Sequence, residues 1–270
     1  MDVLTAPFTF EFMQRAFVAA LIVGALCSTM GTYVVLRKLS FIGDGIAHAS
    51  FAGIVIAYLR GFNYAFGAAI VAVITALGIG FVHRRGKISL DTTIGVLFTG
   101  AFAVGIFLMS RSQRYSVDLE GFLFGNILGV SRDDLIIVCV LAAIVVLCVA
   151  VLYRPLLYTS FDPVVAQASG INAAFVDYVL LVLLALTIII SLQSVGIVLV
   201  AALLVTPAAA AAQLTRRFVP MLVLSGAIGT FCSVGGLYLS YYLSSASGAT
   251  IVILATLIFF AALALRRRSA

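Results

Sequence analysis

The feature that most constrains this chain is a series of long apolar stretches separated by short breaks rich in arginine and lysine. Hydrophobic residues make up 64% of the 270 residues and charged residues 10%, whereas soluble domains contain about 25% charged residues. About 20 consecutive apolar residues cross a bilayer as a helix, and a helix satisfies its own backbone hydrogen bonds there. The sequence therefore predicts an all-α polytopic membrane protein.

Hydropathy predicts about nine (eight to nine) transmembrane helices. We expect them at residues 14–36, 42–59, 63–83, 92–110, 133–153, 173–191, 195–213, 218–243 and 248–265. Residues 173–213 fit either two short spans or one span and a re-entrant segment. Residues 1–270 are predicted to form a single transmembrane domain that includes a short cytoplasmic helix at about 162–170.

The charge distribution predicts the orientation. With nine spans and a cytoplasmic C-terminus, eleven of the sixteen Lys and Arg residues fall in cytoplasmic segments. Since cytoplasmic loops of membrane proteins are enriched in basic residues, this predicts an N-terminus outside and a C-terminus inside. The net charge of +6 comes mainly from loops and the tail, so it indicates membrane topology and not nucleic-acid binding.

Asp44 and His48 stand out because they are ionisable residues at the start of a long apolar run. Residues four apart share a helix face, and an ionisable group inside a membrane is costly enough to suggest a function. A carboxylate and an imidazole suit Mn²⁺, Fe²⁺ or Zn²⁺ better than Mg²⁺ or Ca²⁺. A mutually satisfied pair, or a helix start at the interface, explains the two residues equally well at this point.

Two other segments carry signals. Thr206-Pro207 lies inside an apolar run, where proline kinks a helix, so 195–213 is a candidate pathway-lining element. Asp162-Pro163 is typical of a helix N-cap and first residue, and Gly170 of a helix end. The predicted helix, Pro163 to Ser169, is either a plain connector or a rigid knob that fits a groove on a cytoplasmic partner.

Motifs that the chain lacks exclude several functions. The sequence contains no G-x-x-x-x-G-K-[ST] phosphate loop, so the chain cannot itself hydrolyse ATP through that motif. It has no H-E-x-x-H motif and no constellation for nucleophilic catalysis, so we predict that it is not an enzyme. The cysteines all fall in apolar runs without C-x-x-C spacing, which favours buried thiols.

Taken in order, several short motifs resemble those of the membrane permease subunits of bacterial ABC-type manganese, zinc and iron importers, the ABC-3 family. The resemblance covers nearly the whole chain and rests on Gly31–Arg37, Gly43–Ala49, Asp91–Gly95, Phe122–Leu128, Ser160–Asp162, Ala166–Gly170, Gln193–Gly196 and Ala202–Ala209. Phe51-Ala52-Gly53 departs from the Leu-Pro-Gly of many manganese-type members and looks more like zinc-type relatives. Phe124–Leu128 looks more like manganese-type relatives.

The resemblance implies a multi-pass permease of the bacterial cytoplasmic (inner) membrane, embedded in the lipid bilayer as a homodimer. Its partners would be a dimer of cytoplasmic ATP-binding subunits and an extracytoplasmic metal-binding protein. The transported ion would be Mn²⁺, Zn²⁺ or Fe²⁺, with no permanently bound cofactor. The residues implied are Asp44 and His48 for metal, Phe161, Asp162, Pro163, Ala166 and Gly170 for ATPase coupling, and Asp91, Gln193, Thr206 and Pro207 as candidates for the pathway. Alternatively, Asp91 only caps a helix beginning at Thr92.

The function expected from this resemblance is metal import by alternating access, driven by ATP hydrolysis on the separate subunit. The main alternative is a stand-alone cation channel or secondary metal transporter that uses the same Asp/His pair without ATP. A third class is a membrane subunit in which the pair relays protons.

Overall fold

The chain folds almost entirely into helices. The computed structural model describes residues 7–111 and 127–266, and this part of the chain contains helices and no strand. The all-α prediction is therefore confirmed. The motif residues Phe122–Asn126 and the basic residues Arg267 and Arg268 lie outside the described residues.

The described residues form a succession of long helices with two short ones between them. The α-helices are α1 (Glu11–Leu36), α2 (Ile42–Arg60), α3 (Tyr64–Gly86), α4 (Leu90–Ser110), α5 (Arg132–Val151), α6 (Tyr153–Phe161), α7 (Pro163–Ala168), α8 (Ala173–Val195), α9 (Ile197–Leu214), α10 (Phe218–Leu243) and α11 (Ser247–Arg266). Within this part of the chain, 9 helices are long and apolar enough to cross a membrane. They are all of these except α6 and α7, and they confirm the predicted number of spans.

Two separate helices occupy the region for which the sequence left two alternatives. Helix α8 has 23 residues and α9 has 18, and at about 1.5 Å per residue each is about as long as a bilayer core is thick. They meet at Gly196, whose φ of 85° and ψ of 166° are accessible only to glycine. The structure therefore favours two spans over one span and a re-entrant segment.

By its internal contacts the chain divides into two compact units. The first comprises residues 1–35, 119–142 and 190–270, and the second residues 36–118 and 143–189. Each unit has its own buried apolar residues, for example Val23 and Leu204 in the first and Ile46 and Leu184 in the second. The prediction that the whole chain acts as one permease domain stays a prediction.

In the first unit, serines join α1 to its neighbours. Ser28 Oγ donates to the Leu203 carbonyl of α9 at 3.2 Å, and Ser225 Oγ of α10 donates to the Ser28 carbonyl at 2.5 Å. Membrane helices associate through such interhelical hydrogen bonds and small-residue contacts, since burial from water does not drive them together. The buried hydroxyls therefore fix the packing of this unit.

In the second unit, α2 packs closely on α3 and α4. A Cβ added to Gly53 would overlap the carbonyl group of Gly67 in α3, and one on Gly45 would come within 2.6 Å of the Ile94 side chain in α4. Because only glycine permits this approach, α2 is held on two sides along its length. This is the scaffold on which Asp44 and His48 lie.

Candidate metal site and surface helix

Asp44 and His48 lie one turn apart in the first two turns of α2, and both are half-buried. The His48 Nδ1 is 2.9 Å from the backbone carbonyl oxygen of Asp44. A carbonyl oxygen can only accept a hydrogen bond, so Nδ1 carries a proton, and in the neutral imidazole the free lone pair is then on Nε2. The local helix geometry thus leaves the imidazole in the tautomer that can bind a cation through Nε2.

Aromatic side chains of α4 hold the imidazole ring in place. The ring centroid of His48 lies 5.6 Å from that of Phe102 in an edge-on arrangement, and 6.1 Å from that of Phe98. Phe102 also contacts Phe51, the centroids being 5.4 Å apart. The orientation of the imidazole is therefore set by packing between α2 and α4.

The Asp44 carboxylate has a different environment. Among residues 7–111 and 127–266, no hydrogen bond or ion pair reaches its oxygens, because His48 bonds to the backbone of Asp44 and not to its side chain. The same residues contain no cluster of three or more His, Cys, Asp or Glu side chains. One chain therefore supplies two potential metal ligands, the carboxylate oxygens of Asp44 and the Nε2 of His48.

Asp91 is not the cap of its helix. Helix α4 begins at Leu90, and the Ser89 Oγ accepts a hydrogen bond from the Thr92 backbone N–H at 3.1 Å. The prediction that Asp91 caps a helix beginning at Thr92 is wrong, because a serine two residues earlier already satisfies this backbone donor. Asp91 lies exposed in the first turn, where a negative charge interacts favourably with the helix dipole. Its role in a pathway stays a prediction.

The other predicted pathway residues belong to the first unit. Gln193 is exposed near the end of α8, Thr206 is half-buried, and Pro207 is buried inside α9. They lie on two successive helices joined at Gly196. Their part in a pathway also stays a prediction.

The short helix α7 forms as the sequence indicates. The Asp162 Oδ1 accepts hydrogen bonds from the backbone N–H groups of Val164 at 2.9 Å and Val165 at 3.1 Å, and Pro163 is the first helical residue. Gly170, with a φ of 81°, follows the helix end. The end at Ala168 is one residue short of the predicted Ser169. The local prediction is therefore confirmed, whereas the role in ATPase coupling is untested.

Helix α7 and the last residue of α6, Phe161, present apolar side chains to their surroundings. Val164 is 74% exposed, Phe161 59% and Val165 57%, whereas Ala166 is buried and attaches the helix to the unit. An exposed apolar patch of this kind marks an interaction surface or a membrane contact. We call Phe161, Val164 and Val165 the α7 patch.

A charged cluster in the second unit was missed by the sequence reasoning. The Arg37 guanidinium, 12% exposed, makes an ion pair with Asp177 Oδ1 at 2.5 Å, and Arg84 pairs with the other oxygen of the same carboxylate. The signal was present in the sequence, since Asp177 is an acid inside a predicted span and such residues need a partner. The partners, from α3 and from the segment after α1, are distant in sequence.

The comparison with known families is decisive for identity. The model of the ABC 3 transport family matches residues 9–266, nearly the whole chain. The chain belongs to this family. The resemblance seen in the sequence is confirmed, and ABC 3 family proteins are permease subunits, so this chain is the membrane-spanning part of an ABC-type transporter.

Relatives and solved structures agree with this assignment. The chain is 44% identical to the "Manganese transport system membrane protein MntC" of Halalkalibacterium halodurans, over 93% of this chain and 86% of that protein. It is 39% identical to the "Probable iron transport system membrane protein" of Haemophilus influenzae, over 97% of each chain. A structure described as "PsaBC from Streptococcus pneumoniae in complex with Fab" superposes with a TM-score of 0.82 at 34% identity, covering 94% of this chain and 92% of that one. This ABC 3 family permease is a multi-pass protein of the bacterial cytoplasmic membrane.

Proposed function

We propose that this ABC 3 family permease imports a divalent transition metal, with Mn²⁺ as its first candidate cargo, and that a separate subunit supplies the ATP hydrolysis. The observation that carries the proposal is the Asp44–His48 pair, in which the carboxylate and Nε2 are free on one face of α2. Mixed oxygen and imidazole donors suit Mn²⁺, Fe²⁺ and Zn²⁺ and are a poor match for Mg²⁺ or Ca²⁺. The manganese and iron transport relatives support Mn²⁺ and Fe²⁺ within this range.

Two ligating residues make a weak site, which fits transport. A homodimer in which both α2 helices face one pathway would bring four ligating residues together. Conduction needs an ion to leave as well as to enter, so moderate affinity is an advantage here. An extracytoplasmic binding protein would supply the metal, and no permanently bound cofactor is needed.

The proposed orientation has the N-terminus outside and the C-terminus in the cytoplasm. Among the described residues before α7, five helices are long enough to span the membrane, and this number would put α7 on the opposite side of the membrane from the N-terminus. The positive-inside rule makes that side cytoplasmic. Asp44 and His48, at the start of the second span, then lie toward the cytoplasmic end of the pathway.

The α7 patch is the proposed docking site for the ATP-binding subunit. The exposed side chains of Phe161, Val164 and Val165 suit an apolar groove. The Asp162 cap and the Gly170 end make helix α7 a rigid element. ATP binding would close the ATPase dimer and move α7, and the two permease copies would rock around the pathway. Asp91, Gln193, Thr206 and Pro207 are candidates for lining that pathway.

Uptake into proteoliposomes tests this function. The permease is reconstituted with its ATP-binding subunit and binding protein, and uptake of radiolabelled Mn²⁺, Fe²⁺ and Zn²⁺ is measured with and without ATP. ATP-dependent uptake of Mn²⁺ supports the proposal. Equal uptake without ATP would instead indicate a channel or secondary transporter, and uptake of none of the three metals would overturn the cargo assignment.

A further inference from the structure

The Arg37 side chain is the centre of a hydrogen-bond cluster in the second unit. Its Nε donates to Ser160 Oγ at 3.0 Å, one terminal nitrogen donates to Thr159 Oγ1 at 2.6 Å, and the other pairs with Asp177 at 2.5 Å. All three nitrogens of the guanidinium are therefore used, each on a different residue. Such a planar, forked group cannot be replaced by an ammonium without losing part of the set.

The two hydroxyl groups are committed to this arrangement. Thr159 Oγ1 donates to the Pro155 carbonyl at 2.9 Å, and Ser160 Oγ donates to the Leu156 carbonyl at 2.6 Å. Their protons are thus used within α6, and their lone pairs are left to accept from Arg37. Arg37 is therefore hydrogen-bonded to the last turn of α6, which ends at Phe161, and Asp162 follows directly.

On its other side, Arg37 is joined to the start of α2 by a short connector that is anchored at Leu39. The chain reverses at Lys38, whose φ is 57°, and the next connector residue, Leu39, is 2% exposed. Helix α2 then begins at the fully buried Ile42. Of this connector only Leu39 is buried, and its carbonyl accepts a hydrogen bond from the Ile42 N–H at 2.9 Å, whereas Ser40 and Phe41 are exposed. A short connector anchored at one buried residue transmits displacement better than a long loop.

Asp177 and Arg84 fix the guanidinium from the remaining side. The Asp177 carboxylate binds Arg37 through one oxygen and Arg84 through the other, and Arg84 lies 5.8 Å from the ring centroid of Tyr178. Through Arg37 and this carboxylate, the segment after α1, the end of α3, the end of α6 and the start of α8 are connected. The cluster therefore connects the end of α6, which directly precedes α7, with the segment that leads into α2, the helix that carries Asp44 and His48.

We propose that Arg37 is a positioning residue that passes the movement of α7 to the N-terminal end of α2, and so to the Asp44–His48 pair. Arg37 does not touch the metal; it acts through Thr159 and Ser160 on one side and through the Leu39–Ile42 connector on the other. The inference rests on the proposed function, because transmission matters only if an ATP-binding subunit moves α7.

The test compares variants that break the cluster with matched controls that keep it. Thr159→Val removes the acceptor for Arg37 at nearly constant volume, and Thr159→Ser retains it. Arg37→Lys keeps the charge and loses the fork, and Lys38→Gln alters the exposed neighbouring cation. Each variant is reconstituted with the ATP-binding subunit and binding protein, and both Mn²⁺ uptake and ATP hydrolysis are measured, together with Mn²⁺ affinity of the purified permease.

For Thr159→Val and Arg37→Lys we expect ATP hydrolysis and Mn²⁺ affinity near those of the unmodified protein. The number of ions transported per ATP should fall severalfold, because hydrolysis continues while the movement of α7 no longer reaches the Asp44–His48 pair. Thr159→Ser and Lys38→Gln should keep the normal ratio.

An unchanged ratio in Thr159→Val and Arg37→Lys contradicts the positioning role. Loss of uptake and hydrolysis in equal proportion, including loss through failed assembly, also contradicts it, because Arg37 would then support the fold and not the coupling. If the unmodified complex takes up no metal with ATP, the proposed function itself fails, which is a separate and distinguishable result.

Discussion

The Nδ1 of His48 lies 2.9 Å from the backbone carbonyl oxygen of Asp44. This contact joins the two residues without using either the carboxylate of Asp44 or the Nε2 of His48. A histidine that ligates a metal usually donates its other ring N–H to such a carbonyl, which fixes the tautomer and the ring orientation. The hydrogen bond therefore prepares the pair for a cation before any cation arrives.

Replacing Asp44 or His48 with alanine should reduce ATP-dependent Mn²⁺ uptake to the level of vesicles without the permease, since each change removes half of the donors of one chain. The purified complex should still assemble and elute as the unmodified complex does. His83→Ala is the matched control, because His83 also bonds a backbone carbonyl, that of Ile88 at 2.6 Å, but lies at the exposed end of α3. Normal uptake by the Asp44 or His48 variants would remove the site assignment.

Phe102→Ala should weaken Mn²⁺ affinity severalfold without abolishing uptake. Phe102 contacts the imidazole edge-on at 5.6 Å, so its loss lets the ring turn away from the orientation in which Nε2 meets the ion. The measurement is the Mn²⁺ titration of the purified permease. Equal weakening by Phe81→Ala, an exposed phenylalanine of α3, would mean that the effect is not local.

Gly53→Ala should destabilise the permease, because the added Cβ would overlap the Gly67 carbonyl group and separate α2 from α3. Forcing extra volume into a packed interface costs about 1–3 kcal/mol, which lowers the melting temperature in detergent. Gly100→Ala is the control, since nothing lies within 4 Å of a Cβ at that position. A higher or unchanged melting temperature for Gly53→Ala would contradict the close approach of α2 and α3.

Val164→Asp should weaken association with the ATP-binding subunit while α7 stays folded. Val164 is 74% exposed, so a charge there disturbs no internal packing, and an acid in the first turn favours the helix. Asp162→Ala should weaken association less, through loss of a cap that contributes about 1 kcal/mol. Co-purification of the two subunits measures both effects, with Gln167→Glu on the same helix as control. Undiminished co-purification of Val164→Asp would place the docking surface elsewhere.

Cysteine labelling tests the orientation. In a background whose native cysteines are replaced, Ser169→Cys should react with an impermeant maleimide only from the cytoplasmic side, and Ser245→Cys only from outside. Both positions are exposed in the structure, the first after α7 and the second between α10 and α11. The reverse pattern would invert the topology, and with it the side on which the ATP-binding subunit docks.

Features that depend on neighbouring residues were predicted well. The spans follow from runs of apolar residues, and the Asp162 cap and Gly170 end follow from backbone chemistry within a few positions. The error at Asp91 arose at the same scale, since two residues near one helix start could supply the cap and Ser89 supplies it. Helix-capping preferences therefore narrow the residues that can supply a cap, but they do not always decide which one does.

The apolar runs and their basic breaks were sufficient to predict an all-α membrane protein of about nine (eight to nine) spans, because crossing a bilayer imposes length and hydrophobicity on every span. The sequence also identified Asp44 and His48 as candidate site residues, since an ionisable side chain in a membrane segment is costly whichever helices surround it. The Arg37–Asp177–Arg84 cluster and the free Nε2 of His48 required the folded chain. Their partners come from segments up to 140 residues apart or from one particular hydrogen bond, and only packing brings such groups together.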